Sequence, residues 1–344
     1  MVGSTVISEC GAKDNPSGGL HPVGQILSQR QRTRFKTGDC LLGRYRILGE
    51  LGQGGMGVVY RCLDETAEIE VAVKMLPPEV SWDLGEMELI RANFKVVEKL
   101  HHPNIAALKT LEKDPATGEY LMVMELAEGK NMRDWMHLAG AAQKNGGVGG
   151  IEPVKVLPII RQIAAALDCA HEKKVMHRDI KPANVMIDNL GRVKVLDFGL
   201  AEQIHTSYSR VSQVRGETSG TGPYMAPEQW RGQFQDGKTD QYSLAVMAYE
   251  MLAGHRPFES HELGVLREMV LKEDPACPRG MAHDIWLALR RGLAKKREDR
   301  FESCGDFSAA LTGDGELYRA SGASRKGKAS RKGCGFNVTV TIAF

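Results

Sequence analysis

Two features that would place a protein in a membrane or outside the cell are missing from this sequence of 344 residues. No run of about 18 consecutive apolar residues occurs, so no transmembrane helix is predicted. Residues 1–19 lack the basic stretch and apolar segment of a signal peptide. We therefore expect a soluble, unsecreted, cytoplasmic protein.

Cysteine is sparse and shows no pattern. The sequence has seven cysteines with no Cys-x-x-Cys pair and no histidine at metal-ligand spacing. This distribution supports neither a zinc site nor a disulfide framework and favours reduced thiols. The cysteines occupy positions 10, 40, 62, 169, 277, 304 and 334.

An excess of charge of one sign is also missing. Lys+Arg number 45 and Asp+Glu 43, a net charge of +2, which is too balanced for a protein whose whole surface binds nucleic acid or membrane. Apolar residues make up 42% and charged residues 26%, which argues against a wholly disordered, collagenous or coiled-coil chain. At about 150 residues per domain, the length predicts two domains or one domain with two lobes.

Hydrophobic patterning divides the chain. Residues 1–40 mix Gly, Ser, Asn and Pro with charge and predict a flexible leader. From Tyr45 onward, short β-branched runs between turns predict a small antiparallel sheet, with one helix at Met87–Leu100. Beyond Gly129 helical signals dominate, so we predict an α+β fold with a β-rich first lobe and a larger α-helical second lobe. The predicted helices of the second lobe are Val154–His171, Asp240–Ala253, His261–Leu271 and Met281–Leu293.

Two segments are predicted to be flexible. Residues 139–150 form a low-complexity, Gly-rich stretch that predicts a loop between two helices. The region 312–344 contains Ala-Ser-Arg-Lys-Gly twice, at 323–327 and 329–333. Such a short basic run could contact phosphate or acidic lipid, but it is more typical of a solvated tail.

A glycine-rich segment precedes Lys74, the first candidate phosphate-binding residue. Gly52, Gly54, Gly57 and Val59 fit the pattern G-x-G-x-x-G-x-V, whose glycines let backbone N–H groups approach phosphate oxygens. The pattern alone is weak, since it also opens dinucleotide-binding units. Such a unit needs a helix directly after the glycines, whereas here a strand follows and ends at Lys74. A lysine there supplies a positive charge for phosphates.

Two further segments carry a stronger signal. His177-Arg-Asp179-Ile-Lys181-Pro-Ala-Asn184 places a carboxylate, a cation and an amide close together, and Leu196-Asp197-Phe-Gly199 adds a second carboxylate. Phosphoryl transfer from ATP needs one carboxylate to orient a hydroxyl group, and a carboxylate plus an amide to hold Mg²⁺.

Together with Gly220-Thr-Gly-Pro-Tyr-Met-Ala226-Pro-Glu228, these motifs resemble the protein kinase superfamily, specifically bacterial eukaryotic-like (Hanks-type) Ser/Thr protein kinases. The resemblance covers Tyr45 to Leu311. It implies a protein kinase-like bilobal fold over 41–311, with an N-lobe at 41–126, a C-lobe at 127–311, and ATP between them.

The resemblance also implies roles for individual residues. It makes Asp179 the catalytic base, Lys181 a γ-phosphate contact, and Asn184 and Asp197 the Mg²⁺ ligands. Glu228 and Arg300 would form a buried ion pair, and Asp240 would brace the catalytic loop. The implied ATP-binding positions are Gly52, Gln53, Gly54, Gly57, Val59, Ala72, Lys74, Met124, Glu125, Ala127 and Met186.

One position departs from the family pattern. The glutamate that pairs with the strand lysine should stand nine residues before His102, where this chain has Asn93. Asn93 shares a helical stripe with Val97 and is predicted to point inward. Glu86 and Glu88 lie earlier on the helix. The lysine is therefore positioned by other means, or activity is impaired.

Three functions remain open at this point: an active Ser/Thr protein kinase, a pseudokinase that holds nucleotide as a scaffold, and a small-molecule kinase. The long activation segment and Ala226-Pro-Glu228 favour a protein substrate. Arg178 would pair with a phosphate added by autophosphorylation within 206–219. The candidate phosphosites are Thr206, Ser207, Ser209, Ser212, Thr218 and Ser219.

Overall fold

The computed structural model describes residues 35–54, 57–141, 150–198 and 222–313. Most of the predicted leader, the candidate phosphosites between 206 and 219, and nearly all of the predicted basic tail lie outside these ranges. The low-complexity segment 139–150 is described only at its two ends.

A six-stranded antiparallel sheet forms the first lobe, in the spatial order β1-β2-β3-β4-β6-β5. Successive residues of a strand point to opposite faces, so the sheet separates two apolar clusters. On β4, Val71 and Val73 join one cluster and Ala72 the other, opposite Met124. Lys74 has the parity of Ala72 and therefore lies on the same face. The strands are β1 (Cys40–Leu41), β2 (Tyr45–Gly54), β3 (Gly57–Asp64), β4 (Ile69–Met75), β5 (Leu108–Lys113) and β6 (Tyr120–Glu125).

The first lobe begins earlier than the predicted boundary at residue 41. Phe35 packs edge-on against Tyr60, with ring centroids 6.5 Å apart. The Gly38 amide donates a hydrogen bond to the Ile47 carbonyl (2.9 Å). Residues 35–40 therefore belong to the lobe, because burial of an aromatic ring offsets the entropy of ordering them.

Two helices lie beside the sheet: α1 (Pro78–Ser81) and α2 (Leu84–Val97). Helix α2 confirms the predicted helix, with both ends shifted toward the N-terminus. The carboxylate of Asp83 caps its start by accepting a hydrogen bond from the Glu86 amide (3.0 Å). Helix α1 was not predicted. It begins at a proline, which suits a first helical position because it lacks an N–H group.

Helices dominate the second lobe, beside an antiparallel sheet in the order β7-β8-β9. All four helices predicted there are confirmed, with ends displaced by a few residues. The elements are β7 (Lys130–Asn131), α3 (Met132–Ala141), α4 (Pro153–Glu172), β8 (Val185–Ile187), β9 (Val193–Val195), α5 (Pro227–Trp230), α6 (Gly237–Ala253), α7 (Leu263–Lys272), α8 (His283–Gly292) and α9 (Cys304–Thr312).

Helix α3 corrects one prediction. Its last three residues, 139–141, were assigned to the low-complexity loop, but the helix continues through them. Trp135, Met136 and Ala139 pack against the core of the second lobe. Burial of that face helps the helix to continue through Gly140, the one residue of the three with a low helical preference.

Helix α6 runs through the core of the second lobe. Its residues are buried on nearly all sides, as expected for the central helix of a large domain. Several buried polar side chains on it are hydrogen bonded: the Gln241 amide, for example, donates to the Phe301 carbonyl (2.9 Å). Within the described residues, no helix is both long enough and apolar enough to cross a membrane.

Candidate active site

The glycine-rich segment forms the hairpin between β2 and β3. Gly52, Gln53 and Gly54 end β2, and Gly57 begins β3. At Gly57 φ is +110°, and a Cβ would lie 1.9 Å from the Met75 carbonyl oxygen, whereas a Cβ at Gly52 would meet nothing within 4 Å. Gly57 is therefore required by close contact with β4. Gly52 leaves open space beside the hairpin, as a phosphate-binding loop needs.

Lys74 connects the two lobes. Its ammonium lies 2.8 Å from Oδ2 of Asp197, and its side chain is only 4% exposed. Burial raises the pKa of the Asp197 carboxyl, but the ammonium outweighs this effect and holds the pKa below its ordinary value. Asp197 is therefore a carboxylate at neutral pH.

The predicted adenine-binding residues come from both lobes. Val59 packs with Ala72 and Met124 in one apolar cluster, so the structure brings three of them together. Met186 lies half-buried on β8 of the other lobe, and Ala127 is half-buried after β6. Val59, Ala72 and Met124 thus offer an apolar surface in the first lobe of the kind that a flat aromatic base requires.

The Glu125 side chain has a structural task. Its carboxylate pairs with the Lys194 ammonium (2.7 Å) and accepts a hydrogen bond from the Ala107 amide (3.1 Å). This pairing ties the end of β6 to β9 of the second lobe. The backbone N–H of Glu125 in turn donates to the Ala107 carbonyl (2.8 Å), so neither the side chain nor the N–H of Glu125 is left for adenine.

Asp179 has two differently engaged carboxylate oxygens. Oδ2 lies 2.9 Å from the Lys181 ammonium and accepts a hydrogen bond from Nδ2 of Asn184 (3.0 Å). Nδ2 of Asn184 also donates to the Asp179 carbonyl (2.8 Å). Oδ1 is buried and has no hydrogen-bond partner among the described residues. The motif thus fixes one oxygen and leaves the other for a further partner.

The backbone is left-handed at two motif residues. The φ angles of Arg178 and Asp197 are +65° and +58°, a region that costs a non-glycine residue about 1–3 kcal/mol. Neighbouring groups hold Arg178 there. Its N–H donates to Oδ1 of Asp240 (2.6 Å), and its carbonyl accepts from Nε2 of Gln229 (2.9 Å).

Asp240 braces the catalytic loop as predicted. It is fully buried, and its Oδ2 accepts hydrogen bonds from the His177 amide (2.8 Å) and from Nε2 of His171 (2.7 Å). Burial raises the pKa of Asp240. The hydrogen bond from His171 and the charge of that ring lower the pKa by a larger amount, so the net shift is downward.

Two bracing residues were not predicted, His171 on α4 and Gln229 on α5. Each acts on groups about 50 or more positions away, His171 on Asp240 and Gln229 on Arg178. Spacing rules detect neighbours within a helical turn or a hairpin, so a single sequence carried no signal for them.

The predicted ion pair of Glu228 and Arg300 is present and buried, with side chains 3% and 0% exposed. It is bidentate, with N···O distances of 2.8 and 2.9 Å. Thr239 donates a further hydrogen bond to Glu228 (2.8 Å). Burial raises the pKa of Glu228, but Arg300 more than compensates, so its pKa lies below the ordinary value.

Asn93 is half-buried on α2, on the side of the buried residues Ile90 and Val97, as its stripe predicted. Glu86, the alternative carboxylate, has Oε2 buried without a hydrogen-bond partner among the described residues. Burial raises the pKa of Glu86. The ion pair of Lys74 is with Asp197, from the other lobe, instead.

Comparison with known proteins agrees with this geometry. The family model "Protein kinase domain" matches residues 45–288. Serine/threonine-protein kinase PknB of Mycobacterium tuberculosis (strain ATCC 25618 / H37Rv) is 32% identical over 281 residues, covering 80% of this chain and 43% of PknB. Serine/threonine-protein kinase PrkC of Bacillus subtilis (strain 168) is 30% identical over 279 residues, covering 80% and 41%. The chain thus spans less than half the length of these relatives.

A solved structure shows the same architecture. The crystal structure of the M. tuberculosis PknI kinase domain superimposes with a TM-score of 0.62 at 27% identity, covering 82% of this chain and all of that domain. A bilobal α+β fold in which Lys74 of the first lobe pairs with Asp197 of the second defines the architecture of the kinase class. Since the family model spans most of the sequence, the chain belongs to the protein kinase family.

Proposed function

We propose that this chain is an active Ser/Thr protein kinase that transfers the γ-phosphate of ATP to serine and threonine hydroxyls of protein substrates. The arrangement of Asp179 carries the proposal: one oxygen is held by Lys181 and Asn184, and the other has no partner among the described residues. The relatives named as serine/threonine-protein kinases favour the same substrate class.

Asp179 acts on the substrate hydroxyl. Oδ1 accepts the hydroxyl hydrogen bond, orients the oxygen toward the γ-phosphate and receives its proton as the bond to phosphorus forms. Lys181, 2.9 Å from Oδ2, is close enough to touch a γ-phosphate at the same place. Its ammonium stabilises negative charge as the phosphoryl group moves.

ATP binding falls to the first lobe and the segment after it. Lys74 places its ammonium on the α- and β-phosphates, while the hairpin of Gly52 to Gly57 covers them with backbone N–H groups. The apolar surface of Val59, Ala72, Met124, Ala127 and Met186 receives adenine. Backbone atoms of the segment beginning at Glu125 recognise its edge.

Asn184 and Asp197 would hold Mg²⁺. The amide nitrogen of Asn184 makes both of its hydrogen bonds with Asp179, which leaves the amide oxygen as a ligand. Asp197 is ionised and binds Lys74 through Oδ2, which leaves Oδ1. Oxygen donors of this kind suit Mg²⁺. When bound, the ion neutralises phosphate charge.

Incubation of the full chain with radiolabelled ATP, Mg²⁺ and a generic basic protein tests the proposal. We expect label on serine and threonine. Asp179→Asn should abolish transfer while nucleotide binding, followed by fluorescent ATP-analogue titration, is kept. Asp284→Asn, an exposed change in the first turn of α8, is the control and should behave as wild type. Turnover near the wild-type rate in Asp179→Asn would refute the assignment.

Asn93 supports one competing function, a pseudokinase that binds nucleotide as a scaffold. In that case the wild type would bind the ATP analogue and transfer no label above the level of Asp179→Asn. The presence of Lys74, Asp179 and Asp197 favours the active enzyme.

Autophosphorylation within residues 206–219 stays a prediction, since these residues lie outside the described ranges. A mass-spectrometric map after incubation with MgATP should find phosphate in that segment. An active enzyme without phosphate there would contradict it.

A further inference from the structure

Three chemically different metal-ligating side chains meet where α4, α6 and the start of α9 come together. They are Asp168 and His171 on α4 and Cys304, the first residue of α9. A carboxylate oxygen, a ring nitrogen and the thiol sulfur of these residues lie within 4.8 Å of one another. No short sequence spacing links Cys304 to the other two, so the sequence supported no zinc site.

The imidazole of His171 is oriented as a metal-binding histidine is. Nε2 lies 2.7 Å from Oδ2 of Asp240, so a ring proton resides on Nε2, and in the neutral form that metal binding requires Nδ1 carries the lone pair. Nδ1 is 3.9 Å from Oδ1 of Asp168, which is beyond hydrogen-bond distance. A histidine whose second nitrogen donates to a carboxylate is the usual arrangement at protein metal sites.

The backbone around the cluster also fixes its ligands. Asp168 accepts hydrogen bonds from the amides of Cys304 (3.0 Å) and Gly305 (2.8 Å), which leaves a second lone pair on each oxygen. A Cβ at Gly237 would lie 2.7 Å from Nδ1 of His171, and a Cβ at Gly305 would lie 2.8 Å from Oδ2 of Asp168. Glycine at both positions lets the backbone of α6 and α9 press against the ligands.

We propose that Asp168, His171 and Cys304 form a zinc site, with water as the fourth ligand. Thiolate, imidazole and carboxylate are the donors that Zn²⁺ takes in tetrahedral sites, with bonds of about 2.0–2.3 Å. Ligand atoms in such a site are roughly 3.3–3.8 Å apart, so small side-chain rotations close the cluster. On binding, the thiol of Cys304 releases its proton to solvent and the sulfur coordinates the ion.

The surroundings allow the ion to reach the site. The Asp168 side chain is 30% exposed and gives a route from solvent, whereas Cys304 is 1% exposed and closes the site on the inside. The same three residues also have a purely structural role, in which Asp168 caps α9 and His171 holds Asp240. Zinc adds to that role by joining α4 to α9 through bonds to both helices.

The site bears on the catalytic loop through one intermediary. His171 holds Asp240, and Asp240 accepts hydrogen bonds from the amides of His177 and Arg178. A metal on Nδ1 would fix the ring and, through Asp240, the loop that carries Asp179. Bound zinc should therefore stabilise the second lobe.

Cobalt titration of the full, metal-stripped chain tests the site without relying on phosphoryl transfer. We expect a thiolate-to-cobalt charge-transfer band in the near ultraviolet that saturates at about one ion per chain and disappears when Zn²⁺ is added. Ions at Asn184 and Asp197 have oxygen ligands only and give no such band. Zn²⁺ should also raise the Tm of the wild type.

Matched cysteine variants decide the outcome. Cys304→Ser and Cys304→Ala should lose the band and the zinc-dependent rise in Tm. Cys62→Ala, which removes a buried thiol from the first lobe, should keep both. If Cys304→Ala fails to fold by circular dichroism, the near-isosteric Cys304→Ser gives the same readout. An unchanged band in Cys304→Ser overturns the proposal, and so does a wild type that shows neither a band nor a change in Tm. In either case the three residues have only the structural role, in which Asp168 caps α9 and His171 holds Asp240.

Discussion

The two lobes hold their parts of the candidate site in different ways. In the second lobe, the loop of Asp179 is fixed by the buried carboxylate of Asp240 and the amide of Gln229. In the first lobe, Lys74 is anchored by an ion pair that crosses the cleft to Asp197. The acceptor side is therefore preorganised within one lobe, whereas the position of Lys74 depends on how the lobes meet.

The ion pairs of the two lobes also differ, because the pair in the second lobe is buried and the pair in the first lobe is exposed. Glu228 and Arg300 are 3% and 0% exposed in the second lobe, whereas Arg61 and Glu70 on the sheet of the first lobe are 50% and 38% exposed. Breaking a buried pair leaves an uncompensated charge in a low-dielectric interior, while water solvates the partner of an exposed pair. The second lobe should thus be far less tolerant of change.

The largest effect is expected at the contact that joins the lobes. Asp197→Asn removes the carboxylate that both pairs with Lys74 and would hold Mg²⁺, so we expect kcat/KM to fall about 10³-fold or more. Quench-flow or steady-state assays with labelled ATP measure this. A loss below tenfold would mean that phosphate charge is neutralised elsewhere.

The next effect compares how much a broken ion pair lowers the free energy of unfolding in each lobe. Arg300→Met should lower the free energy of unfolding by about 3–5 kcal/mol, because Glu228 stays buried without its partner. Arg61→Met should change it by at most about 1 kcal/mol. Urea titrations followed by circular dichroism compare the two. Equal losses would remove the distinction between the lobes.

A smaller effect tests preorganisation of the loop. Asp240→Asn keeps the shape of the side chain but weakens its bonds to the His177 and Arg178 amides, so kcat should fall about 10²-fold through misplacement of Asp179. The KM for ATP should change little, because nucleotide contacts lie elsewhere. A rise in KM with unchanged kcat would contradict the bracing role.

The smallest effect concerns the first lobe, where the position of Lys74 depends on how the lobes meet. If Asn93 faces Lys74, Asn93→Glu should raise kcat/KM, and a cycle with Lys74→Met should give a coupling energy of about 0.5–3 kcal/mol. Lys74→Met should cripple transfer in both backgrounds. Zero coupling would show that Asn93 is not the partner of Lys74 and would direct the same test to Glu86 or Glu88.

Local patterns predicted much of the site. Asp179, Lys181 and Asn184 lie within one loop, where spacing along the chain nearly determines spacing in space. The strand that was predicted to end at Lys74 is β4, which ends one residue later, at Met75. The long helices were predicted because apolar periodicity reports which face is buried.

Patterns of this kind failed where the deciding contact was distant. The rule for the helix glutamate concerned only α2, whereas the ion pair of Lys74 is with Asp197, 123 positions away. Helix α3 extended into a predicted loop because its apolar face packs on the core. The local sequence held no information on either contact.

The sequence by itself determined the family, the order of the two lobes and the candidate catalytic side chains, because each of these rests on short motifs whose geometry is local. Tertiary structure alone decided the bracing roles of His171 and Gln229 and the cluster of Asp168, His171 and Cys304. His171 meets Asp240 and Cys304 meets Asp168 only through the packing of α4 against α6 and α9, over separations of 69 and 136 positions. Such meetings depend on the sum of many weak apolar contacts across the core, and no short pattern encodes that sum.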